Sequence, residues 1–162
     1  PFLYHTALEN GFTSSSTFKS ERTIFTFSDD KTYIPKNYGD LYPDKSISMG
    51  AAISYSDNIY AVKTHLFLGE DTLVNILRRV GVQSELEPIP SLALGTEEIS
   101  LFDMMGAYGT LASLGYKNEP YLIEKVLDKD DNVLYQHESN SELVLNQSDV
   151  FILKLADRKS VV

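Results

Sequence analysis

Between Ser46 and Val80 the chain writes three helical patterns in close succession, parted only by a Ser-Asp-Asn tripeptide and one glycine. Ser46 or Ser48 is placed to cap a helix through Met49, Ala52 and Ile53. Asn58 is placed to cap the next, Ile59–Leu68, which Gly69 stops. Asp71–Val80 then sets Leu73, Ile76, Leu77 and Val80 on one side and Arg78-Arg79 outward. Helices this short are marginal alone in water, so they must pack together. A chain of 162 residues can close one core around them without a metal or disulfide staple.

The flanking segments add further elements. Pro1–Gly11 reads as a helix already in progress, with Leu3, Ala7 and Leu8 on one face, and its readiness to pack at residue 1 suggests that other sequence precedes it. After the polar run Thr13–Ser16, the β-branched and aromatic Thr23–Phe27 predicts one arm of a hairpin before a turn at Ser28–Asp30. Tyr33–Lys45, with two prolines and three tyrosines, reads as an irregular loop. Glu87–Pro90 reads as a turn, and Ser100 begins a helix with Leu101, Met104, Met105, Tyr108, Leu111 and Ala112 at helical spacing, stopped by Gly115. Tyr121–Leu127 and Asn132–Gln136 form a hairpin about Asp128–Asp131, helical periodicity returns at Val150–Leu155, and the chain closes on Arg158–Val162. The expected class is α+β with helix predominant.

Composition narrows the chemistry. Without cysteine there is no disulfide scaffold, Cys-based zinc site or cysteine nucleophile. His5, His65 and His137 lie far apart in sequence, with no metal-binding spacing, so no metal or organic cofactor is expected. A net charge of −9 repels a phosphate backbone and argues against nucleic acid. No stretch approaches the ~20 apolar residues of a membrane helix, and Pro1–Asn10 lacks the pattern of a signal peptide.

Two local patterns bear on function. Ser56-Asp57-Asn58 sits in a tight interhelical turn, where a hydroxyl can relay a proton and an amide can donate to a substrate carbonyl into one cleft. The same three residue types are also those that cap helices. Ser16-Thr-Phe-Lys19 fits the S-x-x-K of serine acyl-transferases, in which one helical turn brings the lysine to the serine. It lies in a Ser/Thr-rich run, where such a match is cheap, and a loop is expected. A K-[ST]-G motif starting at Lys117, Lys125 or Lys129 is absent.

Several segments in order carry a more specific signal: Pro1-Phe-Leu-Tyr, Ala7-Leu-Glu-Asn-Gly11, Tyr33-Ile-Pro-Lys-Asn-Tyr38, Ser56-Asp-Asn-Ile-Tyr-Ala-Val-Lys63, Leu92-Ala-Leu-Gly-Thr96 and Ala107-Tyr-Gly with Gly115. Collinear over nearly the whole chain to about Gln136, they resemble the transpeptidase domain of class A penicillin-binding proteins of Bacillus-like bacteria. The resemblance implies a partial β-lactamase-like fold over residues 1–162, with 1–136 family-like and 137–162 a weakly matching tail. It implies a serine D,D-transpeptidase that cross-links peptidoglycan stem peptides, is acylated by penicillins, and works at the extracytoplasmic face of the bacterial membrane. Membrane attachment would come only through parts outside this chain.

Carried over residue by residue, Ser56 and Asn58 match the family's S-x-N motif, with Ser56 relaying the proton between lysine and leaving amine and Asn58 contacting the substrate amide. Asp57 fills the variable position. The family's S-x-x-K directly precedes the Pro-Phe segment, which places the nucleophile ahead of Pro1; Ser16 precedes Ser56 by only 40 residues, where the family interval resembles 59. The pair Ser16 and Lys19 is then the alternative nucleophile set. On this reading the 162-residue chain is inactive alone and marginally stable, its sheet lacking part of its pairing.

Two other readings follow. One is a binding or scaffold module that uses exposed Tyr4, Tyr33, Tyr38, Tyr42 and Phe25, although such aromatics more often pack a core. The other is a serine β-lactamase, which shares the Ser-Asp-Asn signature; the Ala-Leu-Glu-Asn-Gly and Leu-Ala-Leu-Gly-Thr segments argue against it.

Overall fold

The computed structural model describes residues 1–27 and 30–157. Ser28 and Asp29 of the expected turn, and the Arg158–Val162 tail, lie outside the described residues. In chain order the elements are helix α1 (Phe2–Glu9), strands β1 (Thr17–Ser20), β2 (Phe25–Thr26), β3 (Thr32–Tyr33) and β4 (Lys45–Ser48), then helices α2 (Met49–Tyr55), α3 (Asn58–Leu68) and α4 (Glu70–Arg79). Helix α5 (Leu101–Ala112), strands β5 (Tyr116–Asn118), β6 (Lys125–Leu127), β7 (Val133–Gln136) and β8 (Ser141–Leu143), and helix α6 (Gln147–Asp157) complete it. Short 3₁₀ turns stand at Tyr38–Asp40 and Pro90–Leu94.

The helical expectation holds for the middle of the chain. Ser48, not Ser46, caps α2, its hydroxyl accepting from Ala51 N, because Ser46 is committed to β4 opposite Lys19. Ser100 caps α5, accepting from Asp103 N at 3.1 Å. Around α1, which is buried on nearly all sides, α3, α4 and α6 close a core that includes Phe2, Leu3, Ile76, Leu77, Val150 and Leu153. A second cluster of Ala7, Leu8, Met49, Ala52 and Tyr60 joins α1 to α2 and α3.

Arg78 and Arg79 lie outward and exposed as expected, with Arg79 Nη2 donating to both carboxylate oxygens of Glu9 at 2.6 Å, and Arg78 Nη1 to Val82 O at 2.8 Å and Ser84 O at 2.7 Å. Two expectations are corrected. On α5 the buried residues are Ala107, Thr110 and Leu111, while Leu101, Met105 and Tyr108 are exposed. That helix is apolar almost all round, so periodicity could not select its packing face. The five aromatics form no common surface: Tyr4 is largely covered beside Tyr60, Phe25 and Tyr33 are half-buried as cross-strand partners, Tyr42 is half-buried, and only Tyr38 is fully open at 95 %.

The described strands make no continuous sheet. They form four two-stranded antiparallel ribbons, β1 with β4, β2 with β3, β5 with β8, and β6 with β7. The β6–β7 hairpin is exposed on both faces, apolar Leu134 and Tyr135 included.

Gly115 joins the end of α5 to the segment that follows β8. Its N–H donates to Thr110 O at 2.8 Å and its carbonyl accepts from Val144 N at 2.9 Å and Leu145 N at 3.2 Å, all at φ +93°. A methyl there meets the Leu145 backbone. We therefore expect Gly115→Ala to cost at least about 2 kcal/mol, from left-handed strain plus forced separation of α5 from β8; urea titration monitored by circular dichroism checks it.

Two imidazoles are fully buried, and burial lowers the affinity of both for a proton. His65 Nε2–H donates to Ile89 O at 3.1 Å, which puts a proton on Nε2. His5 has its Nδ1 3.8 Å from Glu9, with Arg79 and Asp149 also near, and burial outweighs the carboxylates. The unfolded chain takes up protons near pH 6.5 while the folded chain resists, so stability present above that pH is lost as pH falls through and below it. Asp103 and Asp128, held low by hydrogen bonds, lose their contribution only below about pH 4. Lowering the pH from 7.5 to 5.5 should therefore lower the urea midpoint, and His65→Gln should shrink that drop.

Candidate active site

The Ser56-Asp57-Asn58 turn is made by the end of one helix and the start of the next. Helix α2 stops because Ser56 adopts a left-handed conformation, φ 54°, ψ 50°, with its N–H on Ile53 O at 3.2 Å and the Asp57 N–H on Ala52 O at 2.9 Å. Glycine is the usual occupant of such a position, and a side chain there costs about 1–2 kcal/mol. Asp57 then returns to extended backbone, and its Oδ1 accepts from Tyr60 N at 2.8 Å. Asp57, not the expected Asn58, is thus the N-cap of α3. A cap accepts from the amide three residues on, and the register puts Tyr60 opposite Asp57.

The Asp57 carboxylate is buried and shares neutral donors from distant segments. Its Oδ2 accepts from Ser20 Oγ at 2.5 Å, at the end of β1, and from Asn37 Nδ2 at 2.8 Å. Asn37 Oδ1 in turn accepts from Asn58 N at 2.8 Å, and Asn58 Nδ2 donates to Lys36 O at 2.7 Å. Sequence reasoning missed Ser20, Lys36 and Asn37. The one available signal was that Asn37 stands in Tyr33-Ile-Pro-Lys-Asn-Tyr38, a segment carrying the resemblance.

Ser56 and Asn58 come together on a cleft of about 300 Å³ that is also lined by Pro1, Tyr4, Ile53 and Leu94. Ser56 is exposed there and Asn58 half-buried. The Tyr4 phenol is driven up from its ordinary pKa, first by burial and then by Tyr60 and Asp57, which keeps it a neutral donor at physiological pH. On the other side of Ser56 a cleft of about 570 Å³ runs past Tyr38, Tyr42, Lys45 and Tyr55.

Ser16 and Lys19 are not brought together in this way. The expected loop gives way to strand β1 directly after Ser16, so the helical turn that S-x-x-K chemistry exploits is missing. Ser16 Oγ accepts from Thr13 N at 2.9 Å, and its carbonyl accepts from Tyr60 OH at 2.7 Å and Met49 N at 2.9 Å. Lys19 Nζ is 2.5 Å from Glu21 Oε2, a hydrogen-bonded pairing that raises the lysine pKa and holds it as ammonium, opposite to what a general base needs. Neither residue lines the Ser56–Asn58 cleft.

Residues 1–154 match the family described as the penicillin binding protein transpeptidase domain. The chain belongs to this family. The match runs past Gln136, where the resembling segments end. The chain is 42% identical over 153 residues to penicillin-binding protein 2D of Bacillus subtilis, covering 94% of this chain and 22% of that protein. It is 34% identical over 138 residues to penicillin-binding protein 1A of Pseudomonas aeruginosa, covering 84% of this chain and 17% of the relative. The chain thus spans about a fifth of the length of these two bacterial relatives. Among solved structures, penicillin-binding protein 1A of Haemophilus influenzae superposes with a TM-score of 0.91 at 23% identity, over 99% of this chain and 28% of that one. The penicillin G acyl-enzyme of penicillin-binding protein A from Mycobacterium tuberculosis superposes at 0.82 with 17% identity, over 96% and 40% of the two chains. The α+β, helix-rich fold of this family is therefore that of the present chain.

The left-handed serine makes the turn's strain measurable. Ser56→Gly should raise folding stability by about 1 kcal/mol, because glycine adopts this conformation without a Cβ penalty. Chemical denaturation of the two chains side by side checks it, and an unchanged or lowered stability would show that the hydroxyl itself supports the turn.

Proposed function

We propose that this chain is the part of a peptidoglycan D,D-transpeptidase that carries the S-x-N turn, and that the whole protein cross-links stem peptides through a serine acyl-enzyme and is acylated by β-lactams. The observation that carries this is the convergence of Ser56, Asn58 and Pro1 on one cleft. The resemblance implies an S-x-x-K lysine immediately ahead of Pro1, and on that reading the nucleophile and its lysine enter the cleft beside Ser56. In the acylation step the serine oxygen attacks the substrate carbonyl and the amine leaves with a proton. Ser56 Oγ, exposed at the cleft, passes that proton from the lysine to the leaving nitrogen, while the Asn58 amide donates to a carbonyl of the substrate backbone. Neither role requires a metal or an organic cofactor.

On this reading the enzyme works on the extracytoplasmic face of the bacterial membrane, held there by parts outside these residues, and the 162-residue chain does not form an acyl-enzyme by itself. Intact mass of the purified chain after incubation with a penicillin tests it, with Ser16→Ala run alongside. We expect no adduct on either protein. An adduct lost only in Ser16→Ala would overturn the assignment and make Ser16 and Lys19 the acylation pair; one retained in both would place a nucleophile elsewhere in the chain.

A further inference from the structure

We infer that Asn37 is a positioning residue for the transpeptidase reaction: it fixes the backbone of Asn58, beside the Lys36 carbonyl that holds the Asn58 side chain. The inference rests on the functional reading above and concerns how the S-x-N turn is held.

The side-chain amide of Asn37 is used from both ends. Its oxygen accepts from Asn58 N at 2.8 Å and, more weakly, from Ile59 N at 3.4 Å. Its nitrogen donates to Asp57 Oδ2 at 2.8 Å and to Leu41 O at 3.2 Å. Only this orientation is chemically sound, since a flipped amide would set oxygen against the carboxylate and N–H against N–H.

A helix begins with N–H groups that have no partner of their own. In α3 the first two are taken by Asn37 from 21 and 22 residues away and the Tyr60 N–H by Asp57. The start of α3 is therefore capped in two parts, one local and one supplied by the loop between β3 and β4.

The consequence for chemistry falls on Asn58. One of its two side-chain N–H groups is occupied by Lys36 O at 2.7 Å, one peptide unit from Asn37. Two fixed points, the backbone N–H on Asn37 and the side-chain N–H on Lys36, anchor both ends of the Asn58 side chain. The second N–H and the carbonyl oxygen remain for the cleft that Asn58 lines. A donor held this way is already oriented when substrate arrives, and a small misplacement at such a group is costly in rate. Without the Asn37 side chain, the loop holds the turn only through the Lys36 carbonyl and the Asp57 carboxylate loses a donor, while Ser20 and the local cap keep α3 in place.

The test uses the intact protein to which this chain belongs and the second-order rate of acylation by a fluorescent penicillin, with thermal unfolding measured on the same samples. Asn37→Ala should lower that rate at least about ten-fold while the protein remains folded. Asn37→Asp keeps the acceptor for the Asn58 N–H but sets a second carboxylate against Asp57. Two carboxylates this close hold one proton between them, so its acylation rate, relative to wild type, should recover as pH falls from 8 to 5.5. A purely structural role would leave the rate per folded molecule unchanged. Wild-type rates in a folded Asn37→Ala protein, or an Asn37→Asp rate whose ratio to wild type is flat with pH, overturn the inference. Should Asn37→Ala fail to fold, the Asn37→Asp profile decides alone. A wild-type protein that penicillin does not label at all removes the functional reading beneath it, an outcome distinct from either.

Discussion

A buried carboxylate organises the turn between α2 and α3. Asp57 caps α3, receives Ser20 from β1 and receives Asn37 from the loop before β4, so three segments remote in sequence meet at one side chain. A carboxylate withdrawn from water is costly unless its lone pairs are filled, and here they are filled by an amide N–H, a hydroxyl and a carboxamide. Removing one donor leaves the group less compensated, while the other two still hold it in place. The residue at the variable position of S-x-N is therefore the one on which the geometry of the other two depends.

The helices are legible in the sequence because their signals are local. Cap residues, stop glycines and 3.6-residue spacing lie within a dozen positions of one another, and α2 to α4 fall within a residue or two of expectation. The strands β1, β4, β5 and β8 are not legible. Each is three or four residues long and pairs with a segment far away in sequence, so its stability comes from the partner and not from its own pattern. Strand β1 shows this directly: Thr17 to Ser20 reads as loop until Ser48 to Lys45 is laid beside it.

The site divides along the same line. Ser56 and Asn58 can be found because the motif is contiguous, while the shift of the cap from Asn58 to Asp57 needs the helix register. Ser20, Lys36 and Asn37 lie 37, 22 and 21 residues from their partners, distances over which no local spacing speaks. Ser16 and Lys19 show the converse. A motif legible in the sequence acquires its chemistry only from a helix, and on a strand the lysine finds Glu21 instead of a serine.

Strain and support are balanced at Ser56. A left-handed serine is less stable than a glycine there, and the cost persists because Asp57 and Asn58 are fixed on one side and α2 on the other. A glycine would relieve the backbone but would put no hydroxyl into the cleft. The strain is local, whereas the hydrogen bonds that hold it come from β1 and from the loop before β4. Neither segment supplies a residue of the S-x-N motif, yet the loop holds both the backbone and the side chain of Asn58. This accounts for why a short tripeptide cannot be understood from its own helices alone.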